Sequence, residues 1–276
     1  MHVSHRDRDD ETGARMMTAP ILDGRDLAEP SAFTPESLLR EARRQKGLPS
    51  ADVPAVCVLD PDGDIVRDLI ASGRAQRDPD WACYHTQLHV IDVEGLRYGI
   101  IGGVVGASFA VLVAEELFAA GCQLLLSMTS AGQITPLGPP PYFILIDRAL
   151  RDEGTSYHYL APARYVSADP AVIDLVETAI RGVDLVIERG SAWTTDAPFR
   201  ETATEIAARR SEGVLAVEME AAALYAFARA RDHPVICFAH ITNQMGQADR
   251  DFDKGEANGA RDALRLIEGV ARALVP

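Results

Sequence analysis

The sequence predicts a single α/β domain with a mixed, mostly parallel central sheet flanked by helices. Of the 276 residues, 47% are hydrophobic, which is enough for a sizeable core. Apolar runs of strand length alternate with helical patterns. The runs are apolar throughout, which is typical of strands covered on both faces. The predicted strands are 54–59, 98–105, 123–129, 142–146, 184–191, 213–217 and 234–242.

The predicted helices lie between or after these strands. The first, "TPESLLREARRQKG" at 34–47, has Thr34 as its N-cap, Pro35 at its first helical position and Gly47 as its stop signal. The others are 64–72, 107–120, 170–181, 201–211, 218–231 and 256–274. No repeat, low-complexity segment or linker interrupts the chain after residue 50, so we expect residues 31–276 to form one domain. Residues 1–30 are polar and predict a disordered tail.

Charge and cysteine usage narrow the class of partner. The net charge of −14 argues against binding to nucleic acid or to an anionic membrane, since both need a basic face. A small anionic substrate stays possible, because a local pocket can oppose the global charge. The start of the chain lacks the apolar stretch of a signal peptide, and no run reaches the roughly 18 apolar residues of a membrane span. The four cysteines form no CxxC pair and predict buried free thiols in a reducing cytoplasm.

Ligands of such sheets bind at the carboxyl ends of the strands, and two glycine-containing segments lie there. In "GGVVGASFAVLVAEEL" (102–117), Gly106 precedes a helix that Ser108 opens, and a helix start offers free N–H groups to an anion or a hydroxyl. Close packing of the helix on the strand explains the glycines equally well. In "SMTSAGQITP" (127–136), a strand runs into small and hydroxyl residues on which a planar ring can lie, although a plain turn has the same composition.

The loop in "GSAWTTDAPFRETATEIAAR" (190–209) carries an aromatic residue beside polar groups. Phe199 is followed by Arg200 and by a helix led by Glu201. An exposed aromatic in such a loop can stack on a base or act as a lid. A phenylalanine that anchors its own loop to the core is an equally good interpretation.

Two carboxylates end the strand in "GVLAVEMEAAALYAFARA" (213–230). Glu218 and Glu220 precede a helix, where carboxylates favour the helix dipole. Residues two apart on a helix point to nearly opposite sides, so at most one carboxylate is expected to face the crevice while the other caps the helix. A carboxylate facing a pocket can accept both hydroxyl hydrogens of a vicinal sugar diol. The alanines allow the helix to lie close to the sheet.

In this order, the four segments resemble the nucleoside phosphorylase and nucleosidase family, which includes uridine phosphorylases, purine nucleoside phosphorylases and methylthioadenosine nucleosidases. The resemblance covers roughly residues 54–274. "VEMEAAALYAFA" is similar to the family's ribose-binding signature and "GGVVGAS" to its glycine-rich phosphate and ribose loop. "TSAGQI" is similar to its central strand-end motif and "TTDAPFRE" to its base-loop motif. One match would be weak, but four in order are specific.

The resemblance implies roles for individual residues. Glu220 matches the glutamate that holds the ribose hydroxyls and that we expect to be catalytic, and Met219 matches the methionine packed against the sugar. Ser108 matches a serine that contacts ribose or phosphate. The expected base-binding residues are Phe199, Arg200, Glu218, Ala131 and Gly132. The expected phosphate-binding residues are Gly106, Ser108, Arg67 and Thr129.

One departure from the family pattern concerns the leaving base. Many purine-cleaving relatives have an aspartate after the strand "PVICFAHIT" that acts as an acid toward the base, and here the position is Asn243. An amide can hydrogen-bond a base edge but cannot transfer a proton, so we expect Asn243 to orient the base. Uridine phosphorylases are similar in this asparagine, although the glutamine and arginine with which they hold uracil are not matched here.

Two further departures concern phosphate. The family's Gly-Asp-Pro-x-Arg motif corresponds to "LDPDGD" (59–64), with Gly63 in place of the arginine, and Ser127 stands where many phosphorylases carry another arginine. Their loss removes bidentate phosphate contacts. The residues that can compensate are Arg67, Arg74, Arg164 or an arginine of a neighbouring subunit.

The sequence therefore predicts a nucleoside phosphorylase that releases free base and ribose 1-phosphate. The missing arginines favour the alternative of a hydrolytic nucleosidase, and a non-catalytic nucleoside-binding domain is a third possibility. We expect a homodimer or larger homo-oligomer that acts on a small-molecule nucleoside, with phosphate as its only possible co-substrate and no cofactor. The histidines show no metal-ligand spacing, and we expect His85, His89 and His240 to be strand residues, with a catalytic role for His240 the less favoured interpretation.

Overall fold

In the computed structural model of the chain, residues 19–22, 24, 26–244 and 254–274 are described, the last two before the gap at 245–253 by their backbone alone. The predicted tail at 1–30 lies largely outside these residues. The helices are α1 (Pro35–Lys46), α2 (Asp64–Ala71), α3 (Ala107–Ala119), α4 (Pro170–Ile180), α5 (Ala203–Ser211), α6 (Ala221–Arg231) and α7 (Ala260–Leu274). The strands are β1 (Val56–Asp60), β2 (Ala75–Arg77), β3 (His89–Val93), β4 (Leu96–Gly102), β5 (Leu124–Gln133), β6 (Tyr142–Asp152), β7 (Tyr165–Ser167), β8 (Ile187–Thr195), β9 (Ala216–Glu218) and β10 (Val235–Gln244).

All ten strands belong to one mixed sheet, part of which closes on itself. The strands β5, β9, β8, β6 and β10 pair in a ring, because β10 pairs with β6 on one side and with β5 on the other. From β5 the sheet continues as an open extension through β1, β4, β3 and β2, while β7 adds to β6. The pairings of β1 with β4 and β5, and of β5 with β10, are parallel, so the carboxyl ends of these four strands meet at one edge. The prediction of a single α/β domain with a mixed sheet is confirmed.

The predicted helices and strands are all present with shifted ends. Thr34 caps α1 and Gly47 ends it in the left-handed region, as predicted. The strands β5, β6 and β8 extend beyond their predicted ends because polar and small residues there still pair with neighbouring strands. The helix predicted at 201–211 begins later, since Thr202 is its N-cap and forms a capping box with Glu205.

The short strands β2, β3 and β7 were not predicted. They are three to five residues long, and β2 and β7 contain too few apolar residues for a periodic pattern. His89 lies in β3 and His240 in β10, as expected, but His85 lies in a bend before β3, so that expectation was wrong.

The helix α6 is buried over most of its length. Its residues from Ala221 to Ala228 are all buried, and it packs against α3 and β6. Five of these eight residues are alanines, whose small side chains let the helix backbone come close to the sheet, as predicted. The Tyr225 hydroxyl donates to the Ile146 carbonyl at 2.5 Å and accepts from the Cys237 amide at 3.0 Å, which ties the helix to two strands.

Two further expectations concerned the state of the cysteines and the presence of membrane-spanning segments. All four cysteines are free and buried, as predicted. Among the described residues, none of the helices combines the length and the apolar character that crossing a membrane requires.

Glu116 on α3 carries a buried carboxyl group. Its exposure is 1%, and within the described part of the chain neither carboxylate oxygen has a nitrogen or oxygen hydrogen-bond partner, although the Cys83 thiol lies close enough to oppose part of the pKa shift. Burial raises the pKa of this carboxyl. A group whose pKa is raised on folding stabilises the protein fully below its unfolded pKa, about 4.3 for Glu. That contribution is lost as the pH rises through the folded pKa.

The unfolding free energy of the unsubstituted protein should fall between about pH 5 and pH 8 as Glu116 ionises. We expect this fall to be smaller in Glu116→Gln, because the amide does not titrate. Denaturant unfolding at both pH values measures this, with Glu36→Gln on the exposed surface of α1 as the control. A pH dependence equal to that of the unsubstituted protein would contradict the interpretation.

Candidate active site

Glu218 caps the buried start of α6. Its Oε2 accepts hydrogen bonds from the backbone N–H groups of Glu220 and Ala221, both at 2.7 Å, and its Oε1 accepts one from the Thr194 hydroxyl. The Thr194 hydroxyl oxygen in turn accepts from the Ala222 N–H at 2.9 Å. Burial raises the pKa of Glu218, and the neighbouring Glu220 raises it further. The expectation that one of the two carboxylates caps the helix is confirmed.

Glu220 joins three segments that are distant in sequence. Its Oε1 accepts from the Gly106 N–H at 2.7 Å, and its Oε2 accepts from the Thr129 hydroxyl at 2.8 Å. Gly106 has φ of 91°, a backbone conformation that favours glycine because glycine has no Cβ. A glycine therefore suits the position from which this N–H reaches Glu220. The carboxylate is 1% exposed and its pKa is raised by burial. The Met219 N–H also donates to Oε2, at 3.3 Å, so this carboxylate accepts three hydrogen bonds within the chain.

A cavity of about 360 Å³ lies at the ends of β5, β9 and β10, and its lining includes Glu218 and Met219 but not Glu220. Five predicted residues share its lining: Ala131, Gly132, Phe199, Glu218 and Met219. Its size is in the range of small-molecule sites. A larger cavity of about 620 Å³ lies at the start of β10, near Arg229 and His233, and contains none of the predicted residues. The chemistry therefore points to the smaller cavity.

The loop around Phe199 presents its aromatic ring to solvent. Phe199 lies in a 3-10 helix, Pro198–Arg200, and is 100% exposed at the edge of the cavity, so it does not anchor the loop to the core. The loop is held instead by Asp196, which accepts a hydrogen bond from the Gly154 N–H at 2.8 Å. Arg200 is exposed and is not part of the cavity lining.

Asp60 is the first aspartate of the acidic loop, residues 59–64, and its role is structural. Asp60 accepts hydrogen bonds from the N–H groups of Gly63 and Val66, at 3.1 and 2.9 Å, and so closes the turn between β1 and α2. Burial raises its pKa to about 6.

The other two aspartates surround one cation. Lys254 Nζ lies 3.0 Å from an Asp62 oxygen and 2.6 Å from an Asp64 oxygen. Asp62 also accepts from the Ser130 hydroxyl and lines the cavity together with Lys254. Burial raises the pKa of Asp64, but the hydrogen bonds from Lys254 and Arg67 outweigh it and hold that pKa below its ordinary value.

Arg67 covers the position where the family arginine is missing. A Cβ atom built on Gly63 would lie 2.9 Å from Arg67 Nη1. The guanidinium donates to the Asp62 carbonyl oxygen at 3.0 Å and pairs with the Asp64 carboxylate, while 65% of the side chain is exposed. Arg67 is therefore near the predicted phosphate position but is already paired with an acid.

The remaining predicted residues lie outside the cavity lining. Ser108 is exposed in the first turn of α3. Asn243 pairs with Gly132 through the β10–β5 ladder, and its side chain lies outside the described part of the structure. His240 is buried and stacks on Phe143 with ring centroids 4.7 Å apart, and burial lowers its pKa to about 4. A neutral, stacked histidine is typical of a core residue.

The site also contains residues that the sequence analysis did not select. Glu201 lines the cavity, although its position before α5 suggested a helix start. Lys254, one of only two lysines in the chain, also lines it but lies in a polar segment without a motif. Thr194 lies in the motif "TTDAPFRE". Its contact with Glu218 depends on the pairing of β8 with β9, which the sequence does not show.

Comparison with known proteins identifies the family. Residues 55–274 match the family model described as the phosphorylase superfamily. The chain belongs to the phosphorylase superfamily. A uridine phosphorylase from Vibrio fischeri has a similar structure, with a TM-score of 0.66, 20% identity, and coverage of 80% of this chain and 92% of that one.

Two other comparisons extend this result. A purine nucleoside phosphorylase from Toxoplasma gondii, in complex with immucillin-H, has a TM-score of 0.68 at 16% identity, covering 80% of this phosphorylase-superfamily chain and 91% of that one. An uncharacterized protein of Acanthamoeba polyphaga mimivirus is 23% identical over 168 residues, which are 61% of this chain and 64% of that protein. At these identities the solved structures establish the shared fold.

We expect Thr194→Val to lower the unfolding free energy by about 2 kcal/mol or more, because it leaves buried polar groups of Glu218 and Ala222 without their partner. Thr178→Val is the control, since the Thr178 hydroxyl donates only to the Asp174 carbonyl on an exposed helix surface. Urea unfolding measures both. Equal small losses in the two variants would show that Thr194 does not stabilise the start of α6.

Proposed function

We propose that this member of the phosphorylase superfamily cleaves the N-glycosidic bond of a nucleoside. The observation that carries the proposal is the gathering of three motif segments around one cavity, with Gly132, Phe199 and Met219 in its lining. Glu220 follows Met219 directly in the chain, and its carboxylate, which is not in the lining, accepts from Gly106 and Thr129. In the proposed complex, Met219 and Glu220 hold the ribose, Phe199 stacks on the base and Asn243 orients it.

The charge around the cavity suits this reaction. Positive charge develops on the sugar as the bond to the base breaks, and fixed negative groups stabilise it. Asp62 supplies negative charge in the lining, and only Lys254 is cationic in the described lining. The other two carboxyl groups of the lining, Glu201 and Glu218, have raised pKa values. An electronegative site of this kind favours a transition state that is more positive than the substrate.

Phosphorolysis, which yields free base and ribose 1-phosphate, is the first candidate reaction. The start of α3 supports it, because the N–H groups of the first helical turn have no intrahelical acceptor and can bind an anion. Ser108 is exposed in that turn, and Arg67 lies near the predicted phosphate position. Inorganic phosphate is then the co-substrate.

Hydrolysis, which yields free base and ribose, is the second candidate, and the acidic loop favours it. Asp62 lines the cavity and repels a phosphate dianion, while the charge of Lys254 is shared between Asp62 and Asp64. A carboxylate at this position can instead accept a hydrogen bond from an attacking water.

Turnover of nucleosides in phosphate-free buffer distinguishes the two reactions. Phosphorolysis requires a rate that increases with added phosphate and ribose 1-phosphate as a product. A phosphate-independent rate with free ribose as the product would establish hydrolysis. Tight nucleoside binding without release of base, the third possibility, would show a non-catalytic binding domain.

We expect Glu220→Gln to lower kcat/KM by roughly 10²-fold or more, the order for loss of one preorganised electrostatic contact. Chromatography of the released base measures this, and thermal unfolding should show a folded variant. Glu36→Gln serves as the control. Near-normal turnover in Glu220→Gln would exclude Glu220 from the ribose site.

Two expectations about the state of the protein also stand as proposals. We propose that the working unit is at least a homodimer, since the family resemblance implies sites at subunit boundaries and the fully exposed Phe199 lies at the edge of this one. We also propose a cytoplasmic location, for which the four free cysteines are the support.

A further inference from the structure

Glu201 lies in the cavity without a role in the fold. It follows the 3-10 helix that carries Phe199 and precedes Thr202, with an extended backbone at φ −67° and ψ 104°. The start of α5 does not depend on it, because Thr202 and Glu205 form the capping box between themselves. Neither the helix nor the turn explains why this carboxyl lines the cavity.

The Glu201 carboxyl is also incompletely hydrogen-bonded. Its Oε2 is buried and has no partner within the described residues. By contrast, Glu218, another carboxyl of the cavity wall, accepts three hydrogen bonds. A buried oxygen without a partner is unfavourable in the free protein, and a ligand in the cavity can supply the missing partner.

The surroundings of Glu201 favour its protonated form at neutral pH. Burial, followed by the negative charge of Glu205, raises its pKa to about 7. A carboxyl with such a pKa carries a proton for a substantial part of the time at pH 7 and can donate it, which is the property of a general acid. Asn243 cannot perform this role, since an amide does not transfer protons.

We propose that Glu201 is the catalytic acid that protonates the leaving base, and that the base is a purine. This inference rests on the proposed function. The bond from the anomeric carbon to the base nitrogen breaks with its electron pair moving into the base, and the Glu201 proton passes to the ring nitrogen N7, leaving Glu201 as a carboxylate. Water or phosphate forms the new bond to the anomeric carbon, water losing a proton to solvent, and solvent reprotonates Glu201.

The choice of purine follows from the acceptor that the base offers. A purine linked through its other imidazole nitrogen presents N7 as a free ring acceptor. A uracil in a nucleoside has only carbonyl oxygens and an N–H at the corresponding edges. A ring nitrogen is a stronger base than a carbonyl oxygen, so a side chain that transfers its proton matches the purine better.

The test compares kcat/KM of adenosine, inosine and uridine with that of p-nitrophenyl riboside, whose leaving group needs no proton. We expect the purine nucleosides to be cleaved faster than uridine, with kcat/KM falling as the pH rises through about 7, the pKa of Glu201. Glu201→Gln should lose about 10²-fold or more on the purine nucleosides near pH 6 and should lose this pH dependence. It should keep its rate on p-nitrophenyl riboside, which a merely misfolded variant would not.

Two further variants sharpen the result. Glu205→Gln preserves the capping box, since glutamine also fits it, but removes the charge that raises the pKa of Glu201, so its alkaline limb should move to lower pH. Glu36→Gln is the control, with an unchanged profile. An unchanged profile in Glu201→Gln, an equal loss on p-nitrophenyl riboside, or cleavage of uridine alone would each overturn the role of Glu201 while leaving the proposed function intact. Absence of base release from every nucleoside by the unsubstituted protein would overturn both.

Discussion

The hydrogen bonds that Glu218 accepts at the start of α6 are the interaction on which the site depends. The helix is buried from its first residue, so its free N–H groups cannot be satisfied by water. Glu218 and Thr194 satisfy three of them from two strands. Because α6 can then begin inside the core, Glu220 lies within reach of Gly106 and Thr129, and the β9, β4–α3 and β5 segments converge.

The same arrangement gathers carboxyl groups in a place with little solvent. Burial raises the pKa of both Glu218 and Glu220, the charge of Glu220 raises that of Glu218 further, and the charge of Asp62 raises that of Glu220. Asp62 lines the cavity together with Glu218, and its charge is offset by Lys254. A site that tolerates this repulsion in the free protein gains from a ligand that becomes positive, and the developing charge of a ribose ring is such a case.

The sequence was sufficient for the parts of the fold that follow from local patterns. Thr34, Pro35 and Gly47 define α1 through capping and backbone preferences, and the motif around Glu220 defines the strand-to-helix junction. The closure of β10 onto both β5 and β6 was not predictable, because pairing between distant strands leaves no local periodicity. The short edge strands were missed for the related reason that they contribute few apolar residues.

The site was predictable to the extent that its residues belong to motifs. Ala131, Gly132 and Met219 all line one cavity, as strand-end positions suggested. Lys254 could not be selected, because its partners Asp62 and Asp64 lie about 190 residues earlier and only the folded chain brings the three together. Arg67 was named as a residue that can compensate for the missing arginine, yet its pairing with Asp64 depends on side-chain geometry that the sequence does not show.

The two halves of the proposed anion site therefore have separate origins in this protein. The backbone half needs only a glycine with positive φ and a helix start, and Gly106 with α3 retains it. The side-chain half needs cations that are not already neutralised, whereas Arg67 and Lys254 both contact Asp64. A motif that preserves the backbone half is thus compatible with either nucleophile. For the proposed phosphorolysis, Arg67 or Lys254 must be released from its aspartate before it can bind phosphate.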